Sequence, residues 1–301
     1  MDKIAIQSLP SSIGDATRLA SRLGVPMHEI ALHRFPDGEL RVTVATAAAT
    51  TILYLPLDQP NDKLLALLFS AEALRRGGVR RLVLVAPYLC YMRQDAAFHA
   101  GEAISQKAVG QLIAEIVDRI ITVDAHLHRT KTIAEVFPGI EADDLSAMPA
   151  IADQLRTAGF DPNAVVVGPD AESEPWVSEL AGRLGLAHLV ARKTRRSDRS
   201  VAIDFADAKL LAGRPAILVD DIVSSGATLM TCAKALAAVG TAVIDAVITH
   251  ALFAPELTCD LIGAGIRSIR STTSVPHPSN AIALDAVLAD ALRREMAGAA
   301  S

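Results

Sequence analysis

Short runs rich in Val, Ile and Leu, each followed by a longer amphipathic stretch, recur along nearly the whole chain. Ile4–Ile6, Thr51–Leu57, Arg81–Ala86, Ile120–Val123, Ala164–Val167, His188–Ala191, Ala216–Val219 and Val243–Thr249 have the length and β-branched content of strands. Between many of them lie helical patterns. Asn61 to Arg76 places Leu64, Leu67, Leu68, Ala71 and Leu74 on one face and closes on Arg-Arg-Gly-Gly, a sound helix end. Parallel neighbours need such crossovers, so the alternation predicts an α/β fold of parallel sheets covered by helices. One place breaks the rule. His28–Arg34 and Glu39–Thr46 flank Phe35-Pro36-Asp37-Gly38, a connection too short for a crossover and suited to a hairpin or flap.

The 301 residues, 51% of them hydrophobic, suffice for one large or two medium cores. No Gly/Ser linker separates domains. The loosest stretch, Pro138–Pro149, predicts a division into residues 1–145 and 146–301. Each half repeats strand, helix, strand with acids at strand ends, Asp124 in the first and Asp170 and Asp220-Asp221 in the second. That suggests a duplicated, doubly wound domain with sites at the carboxyl ends of its strands. Ala283 to Met296 reads as a terminal helix that can pack on either half.

Charge narrows the partner. Lys and Arg total 29 against 34 Asp and Glu, a net charge of −5, with only 4% aromatics. Neither a general nucleic-acid footprint nor a stacking platform is present, so no nucleic-acid partner is expected. No stretch approaches the roughly 18 uncharged apolar residues of a membrane span, and no membrane partner is expected either. Cys90, Cys232 and Cys259 show neither zinc spacing nor a disulfide framework, which fits a reduced cytoplasm. The expected partner is small and anionic.

The strongest local signal is Ile217-Leu218-Val219-Asp220-Asp221-Ile222-Val223-Ser224-Ser225-Gly226-Ala227-Thr228-Leu229. An apolar strand ends in two carboxylates, and a small, hydroxyl-rich turn opens a helix from about Thr228 to Val239. Backbone N–H groups at that start, with the hydroxyls of Ser224, Ser225 and Thr228, can wrap a phosphate monoester while Asp220 and Asp221 face sugar hydroxyls. An ordinary strand–turn–helix with a serine cap is the plainer alternative.

Other segments are weaker alone. In Pro87–Asp95, Arg93 can neutralise a polyphosphate and Gln94 can offer amide contacts, although an exposed Arg-Gln-Asp is often just a solvated turn. Thr122-Val123-Asp124-Ala125-His126-Leu127-His128 ends a strand with an acid and two imidazoles, either structural or a metal pair. Arg192 to Arg199 is dense in cations, which suits a solvated basic turn or a lid that closes over phosphates.

The Asp220 to Thr228 run resembles the phosphoribosyl diphosphate loop shared by type I phosphoribosyltransferases and ribose-phosphate diphosphokinases. The first half chooses between them. Phe35-Pro36-Asp37-Gly38-Glu39 is similar to the diphosphokinase flap, Arg93-Gln94-Asp95 to its nucleotide loop with Ile104-Ser105-Gln106-Lys107 after it, and Val123-Asp124-Ala125-His126 to its VDxH motif. The resemblance runs from the flap to Thr272–Pro278. It implies two phosphoribosyltransferase-type domains and transfer of a diphosphoryl group from magnesium-ATP to ribose 5-phosphate, yielding 5-phosphoribosyl 1-diphosphate and AMP. It further implies that Phe35, Asp37, Glu39, Arg93, Gln94, Asp95 and His126 hold ATP, and that Asp220, Asp221, Ser224, Ser225, Gly226, Ala227 and Thr228 hold ribose 5-phosphate. His126 and Asp170 are implied at Mg2+, and Lys193 and Arg195 in catalysis on a loop between strands. A homo-oligomer is implied because the family's flap lies over a neighbour's adenine.

Two departures stand out. Ala96-Ala97-Phe98 follows Asp95 where the common bacterial form has a basic pair, and Gly168–Glu174 departs from Asp-Ala-Gly-Gly toward the archaeal type. A phosphoribosyltransferase and a catalytically silent regulatory paralogue are the alternatives.

Overall fold

The computed structural model describes residues 3–197 and 200–300; the side chains of 193–202 and 298–300, those of Lys193 and Arg195 among them, lie outside the described part. The chain forms two compact units. The first comprises residues 1–145, 274–276 and 284–301, and the second 146–273 and 277–283.

In chain order the first unit contains β1 (Ile4–Ser8), α1 (Ile13–Leu23), β2 (Met27–Glu29), β3 (Ala31–Arg34), β4 (Leu40–Thr43), β5 (Thr50–Tyr54) and α2 (Pro60–Arg76). It continues with β6 (Arg81–Val85), α3 (Ser105–Ala114), β7 (Arg119–Val123), α4 (Ile133–Val136) and β8 (Glu141–Leu145). A six-stranded sheet runs β2-β1-β5-β6-β7-β8, and its neighbours are all parallel. The strands β1, β5, β6 and β7 are buried almost throughout, as expected of a sheet covered on both faces. Helix α2 begins with Pro60, whose missing N–H costs nothing there, and buries Ala66, Leu67, Ser70, Ala71 and Leu74 on one face. Outside this sheet, β3 and β4 form the antiparallel hairpin expected around Phe35–Gly38.

The second unit contains α5 (Met148–Ala158), β9 (Val165–Gly168), α6 (Glu174–Leu184), β10 (Ala187–Ser197), β11 (Ser200–Phe205), β12 (Pro215–Val223) and α7 (Ala227–Ala238). Then come β13 (Val243–Ala251), α8 (Leu257–Gly263), β14 (Ile266–Thr272) and β15 (Asn280–Ile282). Its seven-stranded order is β11-β10-β9-β12-β13-β14-β15, parallel except between β10 and β11. A core of Val165, Val167, Leu218, Leu229, Cys232 and Ile248 joins sheet and helix. The last helix, α9 (Asp285–Ala300), belongs to the first unit and packs on α1.

Three expectations need correction. The basic run read as a loop is strand as far as Ser197, because β10 turns back onto β11, with Lys193 opposite Ile203 and Arg195 opposite Val201. Ladder hydrogen bonds there override a composition that points to solvent. The loosest stretch contains β8, whose Glu141-Ala142-Asp143-Asp144-Leu145 carries edge-strand charge in place of an apolar pattern. Strand β12 does not stop at Asp220 but runs on to Val223, so the acid pair lies within the strand.

Candidate active site

In the second unit the chain moves from β9 outward to β10 on one side, then returns to place β12 on the other side of β9. That reversal opens a crevice at the carboxyl ends of β9 and β12, the position where open α/β sheets bind ligands. Asp170 follows β9, Asp220 and Asp221 lie in the last part of β12, and the turn Ser224–Gly226 follows it.

Gly168 closes β9 where a Cβ would lie 2.0 Å from Ser173 Oγ, so only glycine lets the chain turn this tightly. Asp170 then caps the short turn Ala171–Ser173, its Oδ1 accepting the Glu172 N–H at 3.2 Å, while Ser173 Oγ donates to Asp170 O at 2.5 Å. As successive strand residues, Asp220 and Asp221 leave opposite faces. Asp221 is buried, with Oδ1 accepting the Ile222 N–H at 2.8 Å. Asp220 is half-buried. Burial pushes the Cys232 thiol on α7 up to about 12, and the charges of Asp220 and Asp170 add to the rise. Both carboxylates therefore act on one patch of α7, and Cys232 is held as an inert thiol.

The turn after β12 leaves Ser224, Ser225 and Ala227 exposed and Thr228 half-buried. Gly226 precedes α7 with φ of 70°, and a Cβ there would meet Leu257 at 2.7 Å, so both conformation and space demand glycine. Ser225 Oγ accepts the Ala227 N–H at 3.5 Å. The first N–H groups of α7 have no acceptor within the helix, and such groups beside exposed hydroxyls are chemically suited to receive an anion.

In the first unit the switch of strand order lies between β1 and β5. The expected nucleotide residues instead follow β6 and β7 and occupy the hairpin. Phe35 is half-buried, its ring 4.7 Å edge-on from that of His33, with the Arg41 guanidinium 5.8 Å from its centroid. Asp37 and Glu39 are exposed, and Asp37 Oδ1 accepts the Glu39 N–H at 3.2 Å. Arg93 is exposed, Gln94 Oε1 accepts from Ser105 Oγ at 3.2 Å, and the Asp95 carboxylate is gripped by Arg129. Burial alone would raise the Asp95 carboxyl, but the hydrogen bonds and charge of Arg129 outweigh it and hold it below the ordinary value. The His126 ring stacks 6.3 Å from that of His128. Just before it, Asp124 has φ of 42° and Ala125 donates its N–H to Asp144 Oδ1 at 2.9 Å.

Asp144 and Arg129 are the residues here that sequence reasoning missed, and Gln106 entered only as part of the helix-start motif, without a role of its own. Gln106 Oε1 accepts from Thr130 Oγ1 at 2.8 Å, tying the start of α3 to the segment after His126. Asp144 and Arg129 lie far in sequence from Ala125 and Asp95, which they hold, and no short motif announces them. Among the described residues no three His, Cys, Asp or Glu side chains gather as a metal cage, and no helix is long and apolar enough to cross a membrane.

Comparison with known proteins follows the same division. Residues 4–116 match the family described as the N-terminal domain of ribose phosphate pyrophosphokinase, and residues 145–260 match the phosphoribosyl transferase domain. A ribose-phosphate pyrophosphokinase of Methanopyrus kandleri is 30% identical over 91% of this chain and 94% of its own length. A putative ribose-phosphate pyrophosphokinase 2 of Listeria monocytogenes is also 30% identical, over 92% of this chain and 89% of its own. The crystal structure of phosphoribosylpyrophosphate synthetase from Mycobacterium smegmatis shares the fold, with a TM-score of 0.84, 23% identity, and coverage of 99% of this chain and 100% of that one.

Proposed function

Because this chain belongs to the ribose-phosphate pyrophosphokinase family, we propose that it moves the β,γ-diphosphoryl group of ATP onto the anomeric hydroxyl of ribose 5-phosphate. The sugar oxygen forms a bond to the β-phosphorus, the bond from that phosphorus to the α,β-bridging oxygen breaks, and AMP leaves. The hydroxyl proton passes to solvent or phosphate oxygen, so no protein nucleophile is needed. The observation that carries this reading over a base transferase is the first unit. It is a second parallel-sheet domain, matched to the pyrophosphokinase N-terminal domain, with a hairpin and an Arg-Gln-Asp loop that a transferase would not need.

Ser224, Ser225, Gly226, Ala227 and Thr228 hold the 5-phosphate against the start of α7, and Asp220 and Asp221 accept from the ribose hydroxyls. Phe35 stacks on the purine, Asp37 and Glu39 accept from its amine, and Arg93, Gln94 and His126 serve the nucleotide's polar groups, whereas the Asp95 carboxylate, expected among them, is covered and taken up by Arg129. Lys193 and Arg195 neutralise the transferring oxygens.

Asp170 offers hard carboxylate oxygens of the kind magnesium takes, with few protein ligands and the rest water and phosphate oxygens, and His126 would act at the nucleotide's phosphates. A magnesium ion there would supply charge neutralisation of the polyphosphate. A homo-oligomer is supported by the exposed apolar side chains of Leu32 on the hairpin and Leu65 and Phe69 on α2, the helix packed against β4. The enzyme would work in the cytoplasm.

The test supplies ATP, magnesium and ribose 5-phosphate with no base. Equal amounts of AMP and 5-phosphoribosyl 1-diphosphate are expected. Product that forms only when a base and preformed 5-phosphoribosyl 1-diphosphate are added would identify a transferase instead.

A further inference from the structure

The loop 86–104 between β6 and α3 carries Arg93 and Gln94 on turns and bends alone. A loop this long holds one shape only where it is tied down, because each ordered residue costs conformational entropy. Tyr88 O accepts the Leu57 N–H at 2.9 Å, and Tyr91 Oη donates to Asn61 Oδ1 at 2.7 Å. At the other end Gln94 O accepts the Gln106 N–H at 3.2 Å, and Met92 O accepts from Gln106 Nε2 at 3.3 Å. The outer part closes on itself through Glu102, whose Oε2 accepts the N–H groups of Phe98 at 2.8 Å and His99 at 3.1 Å.

Asp95 lies between these ties and is held from outside the loop. Arg129 donates its main-chain N–H to Asp95 Oδ2 at 2.9 Å and its Nη1 to Oδ1 at 2.7 Å. Its guanidinium also lies 5.2 Å from the centroid of the Phe98 ring. The Asp95 side chain is 1% exposed, against 50% for Arg129. A covered carboxylate that loses its cation must be rehydrated, and the backbone beside Gln94 would have to move to let water in.

We propose that Arg129 is a positioning residue for nucleotide binding, acting through Asp95 to fix the loop that presents Arg93 and Gln94. This rests on the function proposed above. It requires no contact between Arg129 and substrate, and its effect falls on one substrate only.

The test uses the full chain with Arg129→Ala, Arg129→Lys, Asp95→Asn and the double variant Arg129→Ala/Asp95→Asn. Arg129→Ala should raise KM for ATP about tenfold, the scale of one lost charge-assisted contact, and leave KM for ribose 5-phosphate within about twofold. Arg129→Lys should recover only part, since lysine keeps the charge without the planar fork. With Asp95→Asn already in place, adding Arg129→Ala should change KM for ATP by less than about twofold. An equal tenfold loss in both backgrounds would overturn action through Asp95. Independently of activity, hydrogen exchange at the Gln94 and Gln106 amides should quicken in Arg129→Ala while the sheet amides keep their protection. Unchanged exchange overturns the clasp itself. A wild-type chain that forms no AMP overturns the functional reading and the nucleotide role with it.

Discussion

In the proposed reaction Lys193 and Arg195 carry the heaviest assignment, since charge spread over the transferring oxygens would have to be neutralised without a protein nucleophile. Lys193→Ala should lower kcat by about a hundredfold or more, the usual loss for one preorganised contact, with an unchanged urea midpoint. Turnover within about twofold of wild type would reject the assignment. At this scale the strand–turn–helix proposed to hold the phosphate was legible because its parts are contiguous: two acids, two serines and a glycine. Asp95 was legible only as a candidate for ligand contact. Its tie to Arg129, 34 residues away, exists only once β6 and β7 lie side by side.

Helix α9 shows how one element is fastened far from the chemistry. Glu295, 5% exposed, accepts from Arg81 Nε at 2.6 Å and from Arg119 Nη1 at 3.0 Å. Arg119 is 1% exposed and also donates to Ala291 O at 3.1 Å. Both arginines begin their strands, at the edge opposite the carboxyl ends that carry the expected nucleotide residues. Burial alone would raise the Glu295 carboxyl, but Arg81 and Arg119 outweigh it and hold it below its ordinary 4.5. A depressed folded value means that this stabilisation is complete above 4.5 and disappears as pH falls through the folded value.

Glu295→Ala should cost about 2–3 kcal/mol at neutral pH by leaving the buried Arg119 and the partly exposed Arg81 each short of one carboxylate. Urea unfolding should show that gap narrowing in acid; a gap independent of pH would contradict the ion-pair account. The strands found from sequence were the buried, β-branched ones. Strand β8 was hidden by its charges, and β14, Ile-Arg-Ser-Ile-Arg-Ser-Thr, by a spacing of three in place of two. The extension of β10 was hidden because its pairing partner β11 supplies what its own cations do not.

The whole molecule was legible where alternation sufficed, namely two parallel-sheet units and a hairpin outside the first sheet. It was not legible where the chain returns. Residues 274–276 and 284–301 rejoin the first unit after the second is complete, and an amphipathic terminal helix carries no mark of which unit it will cover. The family assignment spans both units, and with it the claim that two phosphorus atoms move together. Incubating the chain with magnesium, ribose 5-phosphate and ATP bearing distinct labels at the α- and β-phosphorus follows that step directly. The account predicts the β label on the anomeric oxygen of the sugar, in amount equal to α-labelled AMP. Label retained in ADP, or released as inorganic phosphate with the sugar unlabelled, would contradict it.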